Sequence, residues 1–419
     1  MKNYFLKIIY SVLGFYAKKV ISRHQPYVVA ITGSAGKTST KEAVYQTLCD
    51  RFGAEEVRKN QGNLNNEIGV CLTILGYEKM PTKLAWPIFL LLASFRIKSR
   101  KYPKYLVLEY GVDKVGDMKY LTSIAAPEVA IITTVEPAHI ANFSSVEAYQ
   151  DEKIAIVQGI RAGGFLLVSG DESALKKVQF EDIKRVSLFG RGDYNAESIA
   201  LTPEGMEYRI SCLGHKISVK SQLLGEQLIY SQLFAFALAD HLDFQLIKAG
   251  ESLEKIKPIS GRMKLIKGIK NTTIIDDTYN SNPASLSAGL RVLQKFQTPA
   301  RKVAIIGNMN ELGQLEEAAH LRAGKIAAES CDLAIFVGKN ADLMRKSFDD
   351  DKRSLSFATT KDLMAKVREI VQEKDLIFIK ASQNGNYLEE VTKLLMLEPA
   401  QASNLLVRQS RAWLRKKGL

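Results

Sequence analysis

The sequence predicts an α/β protein of two parallel-sheet domains: a P-loop central domain with a small β insert, followed by a Rossmann-like C-terminal domain. Three observations carry that expectation. From Tyr27 the chain passes from an apolar strand (YVVAIT) through a glycine-containing turn (GSAGKTST) into a helix-length segment (KEAVYQTLCDRF), the strand–loop–helix unit of P-loop proteins. Short apolar runs, YLVLEYG, VAIITTV, KVAIIGN, LAIFVGK and LIFIKAS, alternate with helix-length stretches, as parallel strands buried on both faces do. Between Ser198 and Ser221 the segments alternate instead, which indicates a small antiparallel insert. A turn cluster at 258–261 separates the two patterns, so residues 27–259 are expected to form the central domain and 260–419 the C-terminal one. Residues 1–26 are expected to form an amphipathic N-terminal segment.

A length of 419 residues exceeds one ordinary domain, and 46% hydrophobic with 25% charged residues is the balance of a globular protein. Cys49, Cys71, Cys212 and Cys331 lie far apart with no C-x-x-C pairing, so neither a disulfide framework nor a zinc site is expected, and a reducing cytoplasm fits. The formal charge of +13 suits an anionic partner. Nucleic acid is not expected, because the basic residues are not interleaved with aromatics in a reading motif. They crowd instead around two apolar stretches. Residues 4–17 are bracketed by Lys2, Lys7, Lys18, Lys19 and Arg23, and residues 84–95 (LAWPIFLLLASF) are followed by Arg96, Lys98, Arg100 and Lys101. Both are shorter than the roughly 20 apolar residues that span a bilayer. Two readings stand: helices lying on an anionic membrane surface at the inner face of the cell membrane, or amphipathic helices packed on protein.

The turn from Gly33 to Thr40 stands where backbone N–H groups and a helix N-terminus can cradle phosphate. Gly33 and Gly36 permit close approach, Ser34 and Ser39 belong to the same loop, Lys37 can neutralise β/γ oxygens, and Thr38 can offer its hydroxyl to Mg²⁺. Ile31 occupies the place of the first glycine of the general G-x-x-x-x-G-K-[ST] motif.

A G-[ST]-x-G-K-T loop of this form, followed by GNLNNEIGVCLTIL from Gly62 to Leu75, resembles the Mur ligase superfamily and within it the D-Ala-D-Ala-adding ligases. Matching motifs keep the same order as far as Ser382. The resemblance implies ATP-dependent amide ligation through an acyl phosphate, with ATP and Mg²⁺ as cofactors and a peptidoglycan precursor and D-Ala-D-Ala as substrates. It implies metal binding by Thr38, Glu109 and His139, a carbamylated lysine at Lys153, and nucleotide contacts from Asn66, Arg262, Asp277, Tyr279, Asn280 and Asn282. Lys37, Glu109, His139, Lys153 and Arg262 form the expected catalytic set. Asn308 stands where the family has aspartate, and Ala381 and Gln383 where it has glycine and arginine. Family members usually carry an N-terminal domain that grips a UDP-sugar, whereas 26 residues precede the first strand here. The expectation is a partner that supplies sugar-nucleotide binding, or a different substrate. The competing functions are a Mur-like ligase for another acceptor, such as poly-γ-glutamate, and a P-loop ATPase or binding protein that does not ligate.

Overall fold

The computed structural model describes residues 2–62, 64–81, 86–135, 142–202, 204–383 and 385–418. Two compact units divide the chain: Met1–Ser198 with Tyr208–Val219 and Gln227–Ile256, and Ile199–Glu207 with Lys220–Glu226 and Lys257–Leu419.

Helix α1 (Lys2–His24) opens the chain and leads through a two-residue link to β1 (Tyr27–Thr32). Then come α2 (Lys37–Phe52), β2 (Val57–Lys59), α3 (Glu67–Ile74), α4 (Trp86–Arg96), β3 (Tyr105–Glu109), α5 (Asp117–Ile124), β4 (Val129–Ile132) and α6 (Val146–Ile154). Strands β5 (Phe165–Ser169), β6 (Ile183–Ser187), β7 (Tyr194–Thr202), β8 (Gly205–Cys212) and β9 (His215–Ser221) follow, then α7 (Glu226–His241) and α8 (Leu246–Glu254). The sheet order is β2-β3-β1-β4-β5-β6-β7-β8-β9. Strand β1 is parallel to β3 on one side and β4 on the other, and its entire middle is buried, which is why YVVAIT reads as a continuous apolar run. β7, β8 and β9 are neighbours in order, and a two-residue turn joins β8 to β9, which only antiparallel neighbours allow. Alternating burial along β8 explains the alternation in the sequence there.

The two apolar stretches part company in the structure. On α1, Ile9, Leu13, Ala17, Val20 and Ile21 recur at helical spacing and are all buried in one core cluster with residues of α3, α5 and β3. The packed reading therefore holds for that face of α1. Helix α4 buries Trp86, Phe89 and Ala93 in the same cluster but leaves other apolar side chains in solvent. Residues 82–85, which include the first two of the second stretch, lie outside the described residues. Among the described residues no helix is long and apolar enough to cross a membrane.

The second sheet has the order β10-β11-β15-β12-β13-β14, with β10 (Lys264–Lys267) antiparallel to β11 (Thr273–Asp277). Strands β12 (Lys302–Gly307), β13 (Leu333–Val337), β14 (Ser354–Phe357) and β15 (Leu376–Lys380) join it in parallel. Helices α9 (Pro283–Lys295), α10 (Glu316–Ser330), α11 (Ala341–Phe348), α12 (Thr360–Ile370), α13 (Glu389–Leu395), α14 (Ala402–Leu405) and α15 (Arg411–Lys417) complete the second unit. The runs KVAIIG, LAIFV and LIFIK are its central strands, buried almost throughout.

Candidate functional site

In the first sheet β1 is the strand from which the order runs both ways, and the register sets Ile31 beside Glu109 and Thr32 beside Ile132. The turn after β1, the end of β3 and the segment after β4 therefore meet at one edge, the place where open α/β sheets bind ligands. Gly33 has φ of 141°, and a Cβ there would lie 2.0 Å from the Thr133 hydroxyl oxygen. Gly36 caps α2 in the left-handed region at φ 81°. Only glycine fills such positions without strain. The turn is fastened to the segment after β4: Ser34 N–H donates to the Thr134 carbonyl at 2.7 Å, and Ala35 N–H to the Thr134 hydroxyl at 3.1 Å. The Thr133 hydroxyl donates to the Ala35 carbonyl at 2.6 Å. Lys37 Nζ donates to the carbonyls of Gly33 and Ser34 at 2.7 and 3.1 Å, which holds the ammonium at the mouth of the turn.

Glu109 is the buried centre of the site. Its Oε2 accepts from the Thr38 hydroxyl at 3.0 Å and lies 3.5 Å from Lys41 Nζ, while Oε1 accepts from Asn65 Nδ2 at 2.9 Å. Asn60 clamps the backbone at the same point: its side-chain oxygen takes the Glu109 N–H at 2.9 Å and its amide donates to the carbonyls of Leu64 and Glu109. Burial alone would raise the Glu109 pKa; the charges of Lys37 and Lys41 and the hydrogen bonds from Asn65 and Thr38 outweigh it and hold the carboxyl below its ordinary value. A dry, anionic carboxylate therefore sits against the hydroxyl that follows the phosphate turn.

Lys153 on α6 is buried, with its Nζ 4.5 Å from the centre of the Tyr149 ring. Burial first, and the charge of Lys37 second, push its pKa down to about 7, against the opposing pull of Asp113 and Glu152. The acidic residues beside it in sequence do not form an ion pair with it. Asp151 is exposed, and Glu152 accepts from the backbone N–H groups of Gly116 and Met118 at 2.9 and 2.7 Å. Tyr149 ties α6 to the turn by donating to the Ser34 hydroxyl at 2.8 Å. His139 lies outside the described residues.

Asn66 is placed differently from Asn65. Its side chain accepts from Gly69 N–H at 3.0 Å and caps α3, while the adjacent Asn65 reaches Glu109. Lys41, Asn60, Asn65 and Tyr149 thus join the site without having been singled out in the sequence. The signal for Asn65 was present in the N-N pair, but only the turn into α3 decides which asparagine caps and which points inward.

The remaining expected residues cluster within the second unit. The Arg262 guanidinium lies over the Tyr279 ring at 4.4 Å. Asp277 is buried, accepting from Lys380 Nζ at 2.5 Å and from Met263 N–H at 3.3 Å. Lys380 also donates to the Asn280 carbonyl at 2.9 Å. Asn282 is the N-cap of α9, in a capping box with Ser285. The loop carrying Tyr279 is held from the C-terminal end of the chain. Arg408 donates to the carbonyls of Tyr279 and Thr278 at 2.9 and 2.5 Å and to both oxygens of buried Glu389 at 2.8 Å, and Lys417 Nζ lies 2.7 Å from Glu389 Oε1. Ser382 likewise donates to the Ser281 carbonyl at 2.9 Å.

A glycine turn at the switch of a parallel sheet, opening a helix and with a hydroxyl and an anionic carboxylate beside it, defines a protein of the P-loop class. Comparison with known proteins narrows the class. A model of the Mur ligase middle domain matches residues 31–239, and one of the Mur ligase glutamate ligase domain matches residues 261–383. The chain belongs to the Mur ligase superfamily. The UDP-N-acetylmuramoyl-tripeptide–D-alanyl-D-alanine ligase of Bacillus subtilis is 29% identical over 388 residues, which cover 91% of this chain and 79% of that enzyme. Its Escherichia coli counterpart is 28% identical over 380 residues, 88% of this chain and 76% of that one. The MurF ligase of Thermotoga maritima, solved with ADP, shares the fold with a TM-score of 0.78 at 22% identity, covering 94% of this chain and 84% of that one.

Proposed function

We propose that this chain is an ADP-forming ligase that joins the carboxylate of a peptidoglycan-precursor peptide to the amine of D-alanyl-D-alanine. The observation that carries the reading is the Thr38–Glu109 pair, a hydroxyl and a buried carboxylate 3.0 Å apart beside the phosphate turn. These are hard oxygen donors, they fit Mg²⁺, and Mg²⁺ when bound offsets the charge crowded between nucleotide and carboxylate. Residues 27–259 act as the nucleotide-binding domain and 260–419 as the second ligase domain.

In this reading the backbone of Gly33–Lys37, with Ser34, Thr38 and Ser39, holds the ATP phosphates, and Lys37 turns its ammonium from the turn's carbonyls to the β/γ oxygens. The substrate carboxylate attacks the γ-phosphorus and ADP leaves. The amine then attacks the acyl carbon and phosphate leaves. Lys153 serves as a carbamate, which requires a neutral amine, and burial with the Lys37 charge, outweighing Asp113 and Glu152, supplies one. His139 accompanies the metal site. Arg262, stacked on Tyr279, meets charge that develops on the phosphates. Asp277 offers the lone pairs left over from Lys380 and Met263 to the ribose, and Asn280 and Asn282 lie near the base.

The test measures ADP and phosphate release with a UDP-muramoyl peptide and D-Ala-D-Ala present together. Both products should require both substrates, and Lys37→Ala should lower turnover by about a thousandfold or more. Release of AMP and pyrophosphate overturns the mechanism. Release supported by glutamate but not by D-Ala-D-Ala moves the reading to a Mur-like ligase for another acceptor.

A further inference from the structure

We infer that the exposed face of α4, with its basic flank, docks this protein on the surface of an anionic lipid bilayer. This inference does not depend on the ligase reading. Trp86, Phe89 and Ala93 fix one side of the helix in the core. Ile88, Leu91, Leu92 and Phe95, at spacings of three and four, form a single stripe on the opposite side, and each is more than half exposed. On α1, which packs beside α4, Phe15 is also more than half exposed, and Lys19 Nζ lies 5.6 Å from the centre of its ring. A soluble surface rarely gathers large apolar side chains in this way without a partner.

Charge selects the partner. From Lys79 to Leu108 the chain has no Asp or Glu, and the first acidic residue of the whole sequence is Glu42. Directly after the stripe come Arg96, Lys98, Arg100 and Lys101, all exposed. Lys18 and Lys19 are exposed on the neighbouring helix. An apolar stripe about one helix long, rimmed by one sign of charge, suits a headgroup layer: the side chains enter the acyl boundary and the ammonium and guanidinium groups meet lipid phosphates. With no Asp or Glu between Lys79 and Leu108, the helix and its flanks carry one sign of charge only, as an anionic headgroup layer requires. With no helix among the described residues able to span a bilayer, the geometry is that of a helix lying in the interface.

The experiment is co-sedimentation of the full chain with phosphatidylcholine vesicles, with and without about a third phosphatidylglycerol. The expected result is binding to the anionic vesicles alone, weakening as salt rises from about 0.05 to about 0.5 M. Leu91→Gln with Phe95→Gln changes only exposed side chains and should weaken binding at least about tenfold. Lys98→Gln, Arg100→Gln and Lys101→Gln together should weaken it by about a hundredfold, at roughly fivefold per basic side chain. Thermal unfolding of both variants should match the wild type. Equal binding to neutral vesicles, no binding to either, or binding unchanged in the variants overturns the inference. Self-association without vesicles that Leu91→Gln with Phe95→Gln abolishes would assign the face to a second copy of the chain instead.

Discussion

Replacing Lys153 by methionine should stabilise the protein at neutral pH while destroying its chemistry. The lysine is 3% exposed, and burial together with the Lys37 charge lowers its pKa from 10.5 to about 7. A depressed folded-state pKa means that the unfolded chain binds the proton more tightly. The stability linked to the group is therefore fully present above the unfolded value, declines as pH falls, and is lost once pH has dropped through the folded value near 7. Each pH unit across that window is worth roughly 1.4 kcal/mol, so the whole window sets an upper bound of about 5 kcal/mol. Methionine matches the volume of the lysine stem and carries no charge. Wild type and variant should be nearly equally stable at high pH, and the variant should gain roughly 2–3 kcal/mol on the wild type between about pH 9.5 and about pH 7, as local relaxation takes up part of the bound. Urea unfolding midpoints at several pH values read this directly. A difference that stays flat across the window would show a solvated ammonium and refute the argument. Bicarbonate supplies a sharper arm: if the neutral amine takes up CO₂, added bicarbonate should raise the midpoint of the wild type and leave that of Lys153→Met unchanged.

Two other perturbations separate the site from its supports. Asn65→Ala removes the hydrogen bond that orients Glu109, a charge-assisted contact of about 1.5–3 kcal/mol; kcat/KM should fall roughly ten- to a hundredfold and the Mg²⁺ requirement should rise, and wild-type kinetics would remove Asn65 from the site. Glu389→Gln leaves the buried Arg408 side chain without its counter-charge and Lys417 with Glu390 alone, which should cost about 3–5 kcal/mol in urea unfolding and raise KM for ATP through the Tyr279 loop; an unchanged midpoint would show that the network is solvated.

The fold was legible because strands buried on both faces must be apolar along their length, and the runs from YVVAIT to LIFIKAS could be read directly. The glycines of the turn were legible for a related reason, since few other residues accept those backbone angles. What could not be read was which side chain covers which. Helical spacing shows that Ile9, Leu13 and Ala17 share a face, and that Ile88, Leu91 and Phe95 do, but not that the first face meets α3 and α5 while the second meets solvent. Lys41 was hidden because a lysine inside a helix ordinarily points outward; here it is fully buried against Glu109, a residue 68 positions away that only the β1–β3 pairing brings near. Antiparallel β10 at the edge of the second sheet was likewise unforeseen, because KLIK is too short to show a period.

The crossover between α3 and β3 has one further consequence. Its ends are held: the N–H groups of Leu75 and Gly76 donate to the carbonyls of Cys71 and Thr73 where α3 stops, and β3 pairs with β1 and β2 at the other end. Everything between them, α4 included, is a detour whose length and chemistry the sheet does not dictate. The exposed side of such a segment can be recoloured by mutation while its buried Trp86, Phe89 and Ala93 stay in the core and the carboxylate at its far end keeps its position. In the docking proposed above, the exposed face of α4 can vary separately from the reaction, so exchanging Ile88, Leu91, Leu92 and Phe95 while keeping Trp86, Phe89 and Ala93 is expected to change vesicle binding and leave turnover unchanged.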